Sequence, residues 1–338
     1  MTGLLLKHMI DHLEIFVCPA CGKDLAVCGD TITCAGCKNT FSTESGIPLL
    51  FWPNEWDSSK RDVTHVVKSF YEKTPFPNYE KMETTGDLIE KAESGIFARL
   101  LNEQIPFNTR VLEVGCGTGQ LTNYLGIAHR FLFGADMCFN SLKLANDFRE
   151  KNRIDRTGFY QMNLFSPIFK KESFSLVISN GVLHHTSDPF GGFKSIARLV
   201  RKGGYIIIGL YNKYGRLTTD ARRIVFNLLG DRLTFLDPYL RKSSIGDLKK
   251  FTWFMDQYKN PHESKHTIGE VMRWFDDTGF DFVNSIPKSR ALSGFHQDEK
   301  LFKPNPKGSR FDHFCVQAQL LLTGKNEGGF FVMIGRKR

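Results

Sequence analysis

A short apolar run that passes straight into three closely spaced glycines limits this chain more than any other feature. Val111-Leu-Glu113-Val is followed by Gly115-Cys-Gly117-Thr-Gly119-Gln120. Such a run, bounded by turn residues, reads as a strand buried on both faces. The glycines let the backbone turn sharply and approach a ligand where a side chain would clash. The dinucleotide-binding fingerprint is G-x-G-x-x-G. Here the spacing is G-x-G-x-G, with an acid two residues ahead of the first glycine, which departs from that pyrophosphate motif.

The surroundings of this turn set the fold class. Apolar runs at 111–114, 131–135, 158–162, 174–179 and 205–210 alternate with helix-like segments at 119–128, 139–152 and 189–201. Continuous apolar strands alternating with amphipathic helices predict an α/β fold with a parallel sheet covered on both faces. Two more strands are expected at 281–286 and 330–334. The stretch 213–258 reads as helical and interrupts the alternation. Upstream, 61–105 reads as helical with breaks at Pro75 and Pro77. Residues 51–60 mix Pro, Asn, Asp and Ser, as a linker does.

Residues 1–50 form a separate unit. Cys18-Pro-Ala-Cys21 and Cys34-Ala-Gly-Cys37 are two C-x-x-C turns separated by twelve residues. Each turn aims two thiolates at one point, and two such turns complete a tetrahedral Zn²⁺ site. A redox dithiol is the competing reading; the matched pairs favour the metal. Cys28 has no partner at that spacing. With all four positions filled by Cys, the ion would be structural, with no open position for water. About 40 residues cannot build an adequate core alone, so the metal would fold this segment.

The glycine turn is one of five elements in order. The others are Phe133-Gly-Ala-Asp136-Met137, Tyr160-Gln-Met-Asn163-Leu164, Asn180-Gly-Val-Leu-His184-His185 and Lys202-Gly203-Gly204-Tyr205. Together, over residues 110–210, they resemble the class I S-adenosylmethionine (SAM) methyltransferases. The resemblance implies a Rossmann-like seven-stranded sheet and a SAM site built from Glu113, Gly115, Gly117, Gly119, Asp136, Met137, Asn163, Leu164 and Asn180. Asp136 would take the ribose hydroxyls, a role a carboxylate about 20 residues past a glycine turn can fill; capping the next helix is its alternative. The family usually has Asp where Asn163 stands. His184 or His185 would face the substrate as a general base, since imidazole titrates near neutrality; packing beneath the site is the alternative for both. The closing Gly46-Ile47-Pro48-Leu49-Leu50 resembles the end of the small zinc-ribbon family that activates methyltransferases.

Beyond the fifth strand, an insertion at about 211–280 resembles the substrate-side segment of many family members. Tyr211, Tyr258, His262 and His266 are its candidate acceptor residues. His262-Glu-Ser-Lys-His266 also matches H-E-x-x-H, a zinc-protease motif that needs both histidines on one helical turn. Thr267-Ile-Gly-Glu270 is a capping box, so the helix should start at Ile268 and leave the histidines outside it. Residues 70–79 would form part of a lid over SAM.

The expected organisation is therefore a zinc ribbon over 1–50, a linker and helical lid over 51–109, and a methyltransferase domain over 110–338. The net charge of +9 is uneven: residues 201–338 hold 24 Lys and Arg against 14 Asp and Glu. That balance would suit RNA, but it is also common among small soluble enzymes. No run reaches the ~18 apolar residues a membrane span needs, and the start lacks a signal-peptide pattern, so a cytoplasmic protein is expected. A small-molecule, sugar or lipid-like acceptor is favoured. RNA methylation is the second reading, and a SAM-binding regulator without turnover is the third.

Overall fold

The computed structural model describes residues 6–56, 61–77, 79–80, 82–229, 231–243, 245–323 and 329–338. The last four residues of the expected linker, and Asn78 of the expected lid, lie outside them. The central sheet has seven strands: β1 (Arg110–Val114), β2 (Phe131–Asp136), β3 (Thr157–Gln161), β4 (Phe174–Asn180), β5 (Val200–Tyr211), β6 (Phe280–Ile286) and β7 (Phe330–Lys337). Their order is β6-β7-β5-β4-β1-β2-β3. The first five run parallel; β7 is antiparallel to both of its neighbours. The sheet is thus the expected α/β, Rossmann-like arrangement, and all seven strand positions were legible as apolar runs.

Burial explains that legibility. Val111, Leu112, Leu132, Phe133, Val177, Ile178, Ile206, Ile207 and Ile208 are fully buried, because helices cover both faces. Helices Gln120–Ile127, Phe139–Lys151 and Pro189–Ala197 join the parallel strands. The third is shorter than expected, because β5 already begins at Val200. Asp188 accepts from the Gly191 amide and Pro189 opens the first turn, where a missing N–H costs nothing. After β3 the chain crosses back to lay β4 on the other side of β1, and at such a reversal an open parallel sheet leaves a crevice at the carboxyl ends of its strands.

The N-terminal unit is a small antiparallel ribbon, Leu25–Cys28 with Thr31–Cys34 and then Thr40–Phe41. It is packed onto the β3 side of the sheet. Phe16 bridges Phe169, Val17 donates to the Ile168 carbonyl, and Lys170 pairs with Asp24 at 2.9 Å. The ribbon's tail continues as an extra strand: Leu49 bridges Gln161, and the Leu50 amide donates to the Gln161 carbonyl. That covers the free edge of β3. Among the described residues, no helix is long and apolar enough to cross a membrane.

Candidate functional site

Where β1 ends, the backbone turns through Gly115, Gly117 and Gly119, all with positive φ. At Gly115 a Cβ would overlap the side chain of Val182, on the loop after β4. A side chain here would fill the crevice between β1 and β4. Gly119 instead packs inward, where a Cβ would strike Phe159 and Ala145. It precedes helix Gln120–Ile127 and does not line the cavity.

The turn opens into a cavity of about 780 Å³. Glu113, Gly115, Gly117, Asp136, Met137, Asn163, Leu164 and Asn180 all lie on its wall, so the crevice brings together eight of the nine expected cofactor residues. Asp136 closes β2, and its carboxylate accepts from the Gly117 amide at 2.9 Å and the Cys138 amide at 2.8 Å. The Cys138 thiol also approaches this carboxylate, and of the four lone pairs on its two oxygens at least one is left for a further donor. Burial raises its pKa and that of Glu113, which is pushed up to about 7. Glu113 takes the Thr122 hydroxyl.

Asn163 uses its amide as a donor. Its amide nitrogen donates to the Trp52 carbonyl at 2.8 Å and to Asn54 Oδ1 at 2.7 Å, which fastens the segment leaving the ribbon. A carboxylate has no donor for these bonds. Its oxygen accepts from the Phe165 amide.

Phe76, Pro77 and Tyr79 lie against the glycine turn. Phe76 and Pro77 line the cavity, Thr118 donates to the Pro77 carbonyl, and Tyr79 donates to the Thr118 carbonyl at 2.9 Å. At the apolar end, Lys91 donates to Gln120 at 2.7 Å. Burial and the nearby Lys249 lower its pKa to about 8.

The two adjacent histidines have different surroundings. His184 is fully buried, with no hydrogen-bond partner for either ring nitrogen among the described residues, and packs 4.3 Å from the Tyr211 ring. Burial holds its pKa well below the usual range. It lies beneath the cavity and does not line it. His185 lines the cavity, edge-on to Tyr71. Its Nδ1 lies 2.8 Å from the His262 carbonyl, so Nδ1 carries the proton and Nε2 is left as the acceptor. Burial lowers this pKa too, keeping the ring neutral.

Of the expected acceptor residues, Tyr211 lines the cavity and accepts from Gln257 at 2.8 Å. The other three stand off the wall. Tyr258 turns to Phe226 and Phe254 and donates to Asp237 at 2.5 Å. His262 pairs its ring with the Thr186 carbonyl, and His266 with Glu270 and Ser264. The H-E-x-x-H segment is extended, and the capping box starts helix Ile268–Asp277 as expected. Its glutamate, Glu263, is committed to a buried bidentate pair with Arg216, at 2.9 and 2.6 Å.

The wall instead carries Asp256 and Gln257, which composition and spacing did not single out. They lie on a π-helical turn, Met255–Lys259. Its extra residue carries Asp256 and Gln257 inward and Tyr258 away. Asp256 accepts from the Tyr71 hydroxyl at 2.7 Å and from Gln257 at 2.9 Å.

At the ribbon, the ligand atoms of Cys18, Cys21, Cys34 and Cys37 all lie within 4.8 Å of one another. The Cys18–Cys37 and Cys21–Cys34 sulfur separations are 3.7 and 3.4 Å. Four sulfurs about 2.3 Å from one ion stand about 3.8 Å apart, so the cluster fits Zn²⁺. Cys28 is exposed and outside the cluster. No residue of the ribbon lines the cavity.

Residues 112–208, from β1 into β5, match the family model described as a methyltransferase domain. The chain carries a SAM-dependent methyltransferase domain. A ubiquinone biosynthesis O-methyltransferase of a Ruegeria species is 26% identical over 128 residues, 38% of this chain and 51% of that protein. An uncharacterised Synechococcus protein is 24% identical over 205 residues, 54% of this chain and 49% of its own length. The chain spans about half the length of the curated relatives it matches. The solved structure of PKMT2 from Rickettsia typhi shares the fold at a TM-score of 0.50 and 12% identity, over 72% of this chain and 53% of that one.

Proposed function

We propose that this methyltransferase domain transfers a methyl group from SAM to a hydroxyl of a small, largely apolar acceptor, with His185 as the general base. The observation that carries the reading is one crevice holding both the glycine turn and a neutral imidazole. At about 780 Å³ it lies in the upper range of small-molecule pockets, about 300–1,000 Å³, with room for a nucleoside-sized cofactor beside a compact acceptor. Apolar residues make up much of its wall, Leu88, Phe97, Val114, Leu121 and Phe330 among them. The curated relative that methylates an oxygen in ubiquinone biosynthesis supports the same acceptor chemistry.

When bound, SAM supplies a methyl group already activated on a sulfonium. The Asp136 carboxylate would receive its ribose hydroxyls, Met137 and Leu164 would flank its adenine, and Asn163 would face the ring. Tyr71, Asp256, Gln257 and Tyr211 form a hydrogen-bonded row beside His185 that would orient the acceptor hydroxyl. His185 Nε2 would take that hydroxyl's proton as the oxygen–carbon bond forms. Phe76 and Pro77, which line the cavity, and Tyr79 beside them would exclude water. The ribbon would hold Zn²⁺ through Cys18, Cys21, Cys34 and Cys37, and would brace the β3 edge in the manner of an activator fused to its methyltransferase.

The test traces the methyl group of labelled SAM into RNA, protein and small-molecule fractions of an extract from cells lacking the protein. Label in the small-molecule or lipid fraction is expected, and label that ribonuclease releases would replace the reading by RNA methylation. His185→Gln should lower the rate about 10²–10⁴-fold while leaving SAM affinity intact. Because the His185 pKa is lowered, the wild-type rate should stay flat down through pH 6.5 and fall only below it. A rate that instead climbs tenfold per pH unit above 6.5 would remove His185 as the base.

A further inference from the structure

Between β5 and β6 the insertion displays apolar side chains where a surface helix ordinarily displays polar ones. Along helix Leu217–Leu229, the exposed residues Leu217, Ala221, Ile224 and Leu228 recur at spacings of four, three and four, which places them on one stripe. Ile224 is 61% and Leu228 78% exposed. The opposite side is also apolar, and there Phe226 is buried. Helix Asp247–Phe254 repeats the arrangement, with Leu248 and Phe251 three residues apart and exposed while Phe254 is buried. Both helices rest on one cluster, Phe226, Phe254 and Tyr258. That cluster already satisfies their inner faces, so the outer faces are unpartnered among the described residues.

The charge of the same segment narrows what could cover it. Residues 217–254 hold seven Lys and Arg against four Asp. Lys249 and Lys250 directly follow Leu248, and the exposed Arg241 and Lys242 lie in the connection between the helices. Long basic side chains beside an apolar stripe can reach an anionic surface while the stripe enters an apolar one. A second copy of this chain would bring the same positive charge and be repelled. We propose that the insertion 217–254 is an interfacial docking surface for a membrane bearing anionic phospholipid. Trp253, on the same segment, lines the cavity, so docking would set the cavity beside the bilayer. The proposal goes beyond the catalytic reading and does not depend on it, because binding is measured without turnover.

The experiment is flotation of the full chain with vesicles of phosphatidylcholine alone, or of equal parts phosphatidylcholine and phosphatidylglycerol. Wild type should float with the anionic vesicles, and should be released by salt, because screening weakens the basic contribution. Ile224→Asp with Leu228→Asp should weaken binding more than about tenfold, since each buried aliphatic side chain contributes roughly that factor or more. These side chains make the exposed stripe, so the variant should keep the wild-type melting curve. A Lys249→Glu, Lys250→Glu variant should lose the preference for anionic vesicles. Failure of wild type to float, or flotation unchanged by the aspartates, would overturn the proposal. So would a concentration-dependent dimer that the aspartates disperse without any vesicle binding, which would assign the stripe to self-association.

Discussion

Side chains that touch in the crevice have little room for exchange. Gly115 sits at φ 73° with Val182 against it, so any side chain meets both backbone strain and overlap. Gly115→Ala should cost roughly 1–3 kcal/mol of stability. It should also weaken SAM binding, because relief requires the Val182 loop to withdraw and carry Asn180 and His185 with it. Calorimetric titration with SAM, set beside a thermal melt, checks both halves. Unchanged affinity in a folded variant would mean that the β1–β4 crevice is not where SAM binds. At the same scale, the contrast between His184 and His185 is one of surroundings rather than residue type. One nitrogen finding a carbonyl separates an oriented imidazole from a packed one.

The ribbon and the π turn are elements whose consequences reach beyond their own residues. Removing the metal, by chelation or by Cys21→Ser, should unfold the ribbon, since so short a segment has little core without it. The Leu50 amide would then lose its place on the β3 edge. Hydrogen exchange should accelerate at Leu50 and through 15–17, while the amides of β1 and β4 stay protected. Uniform protection after metal removal would make the cysteine cluster dispensable. The two elements also differ in how far they could be read from the sequence. C-x-x-C pairs state their geometry locally, and the seven strands appear as apolar runs because both sheet faces are buried. The π turn at Met255–Lys259 leaves no such mark. One additional residue in a helical turn places Asp256 and Gln257 on the cavity wall and Tyr258 in the buried cluster with Phe226 and Phe254, so the sequence points to Tyr258 where its two neighbours line the cavity. Nor could spacing show that Asn163 donates to Trp52 and Asn54, contacts more than a hundred residues away.

Across the whole molecule, acid should loosen two seams at once. His8 joins the ribbon side to the sheet, with Nδ1 2.7 Å from the Tyr160 hydroxyl and its ring against Phe133. Burial, with smaller contributions from His12 and Arg149, lowers its pKa from 6.5 to about 3. His12 beside it, His184 beneath the cavity and His185 on its wall have pKa values moved in the same direction, each mainly by burial. A histidine whose folded pKa lies below its unfolded one is neutral in the native state while the unfolded chain takes up a proton. Its stabilising contribution is therefore complete above pH 6.5 and is lost as pH falls, for His8 over the window from 6.5 to about 3. A tenfold difference in proton affinity between the folded and unfolded chain is worth about 1.4 kcal/mol, so the buried histidines together outweigh the surface ion pairs, whose contributions are about 0–1 kcal/mol each. Denaturant midpoints should drop steeply between pH 6.5 and 4. His8→Gln keeps a donor for the Arg156 carbonyl and an acceptor for Tyr160 but cannot titrate. It should start less stable than wild type at pH 7.5 and fall more gently as acid is added, so the two curves converge. Parallel curves over that range would show that the seam between ribbon and sheet does not hold His8 neutral.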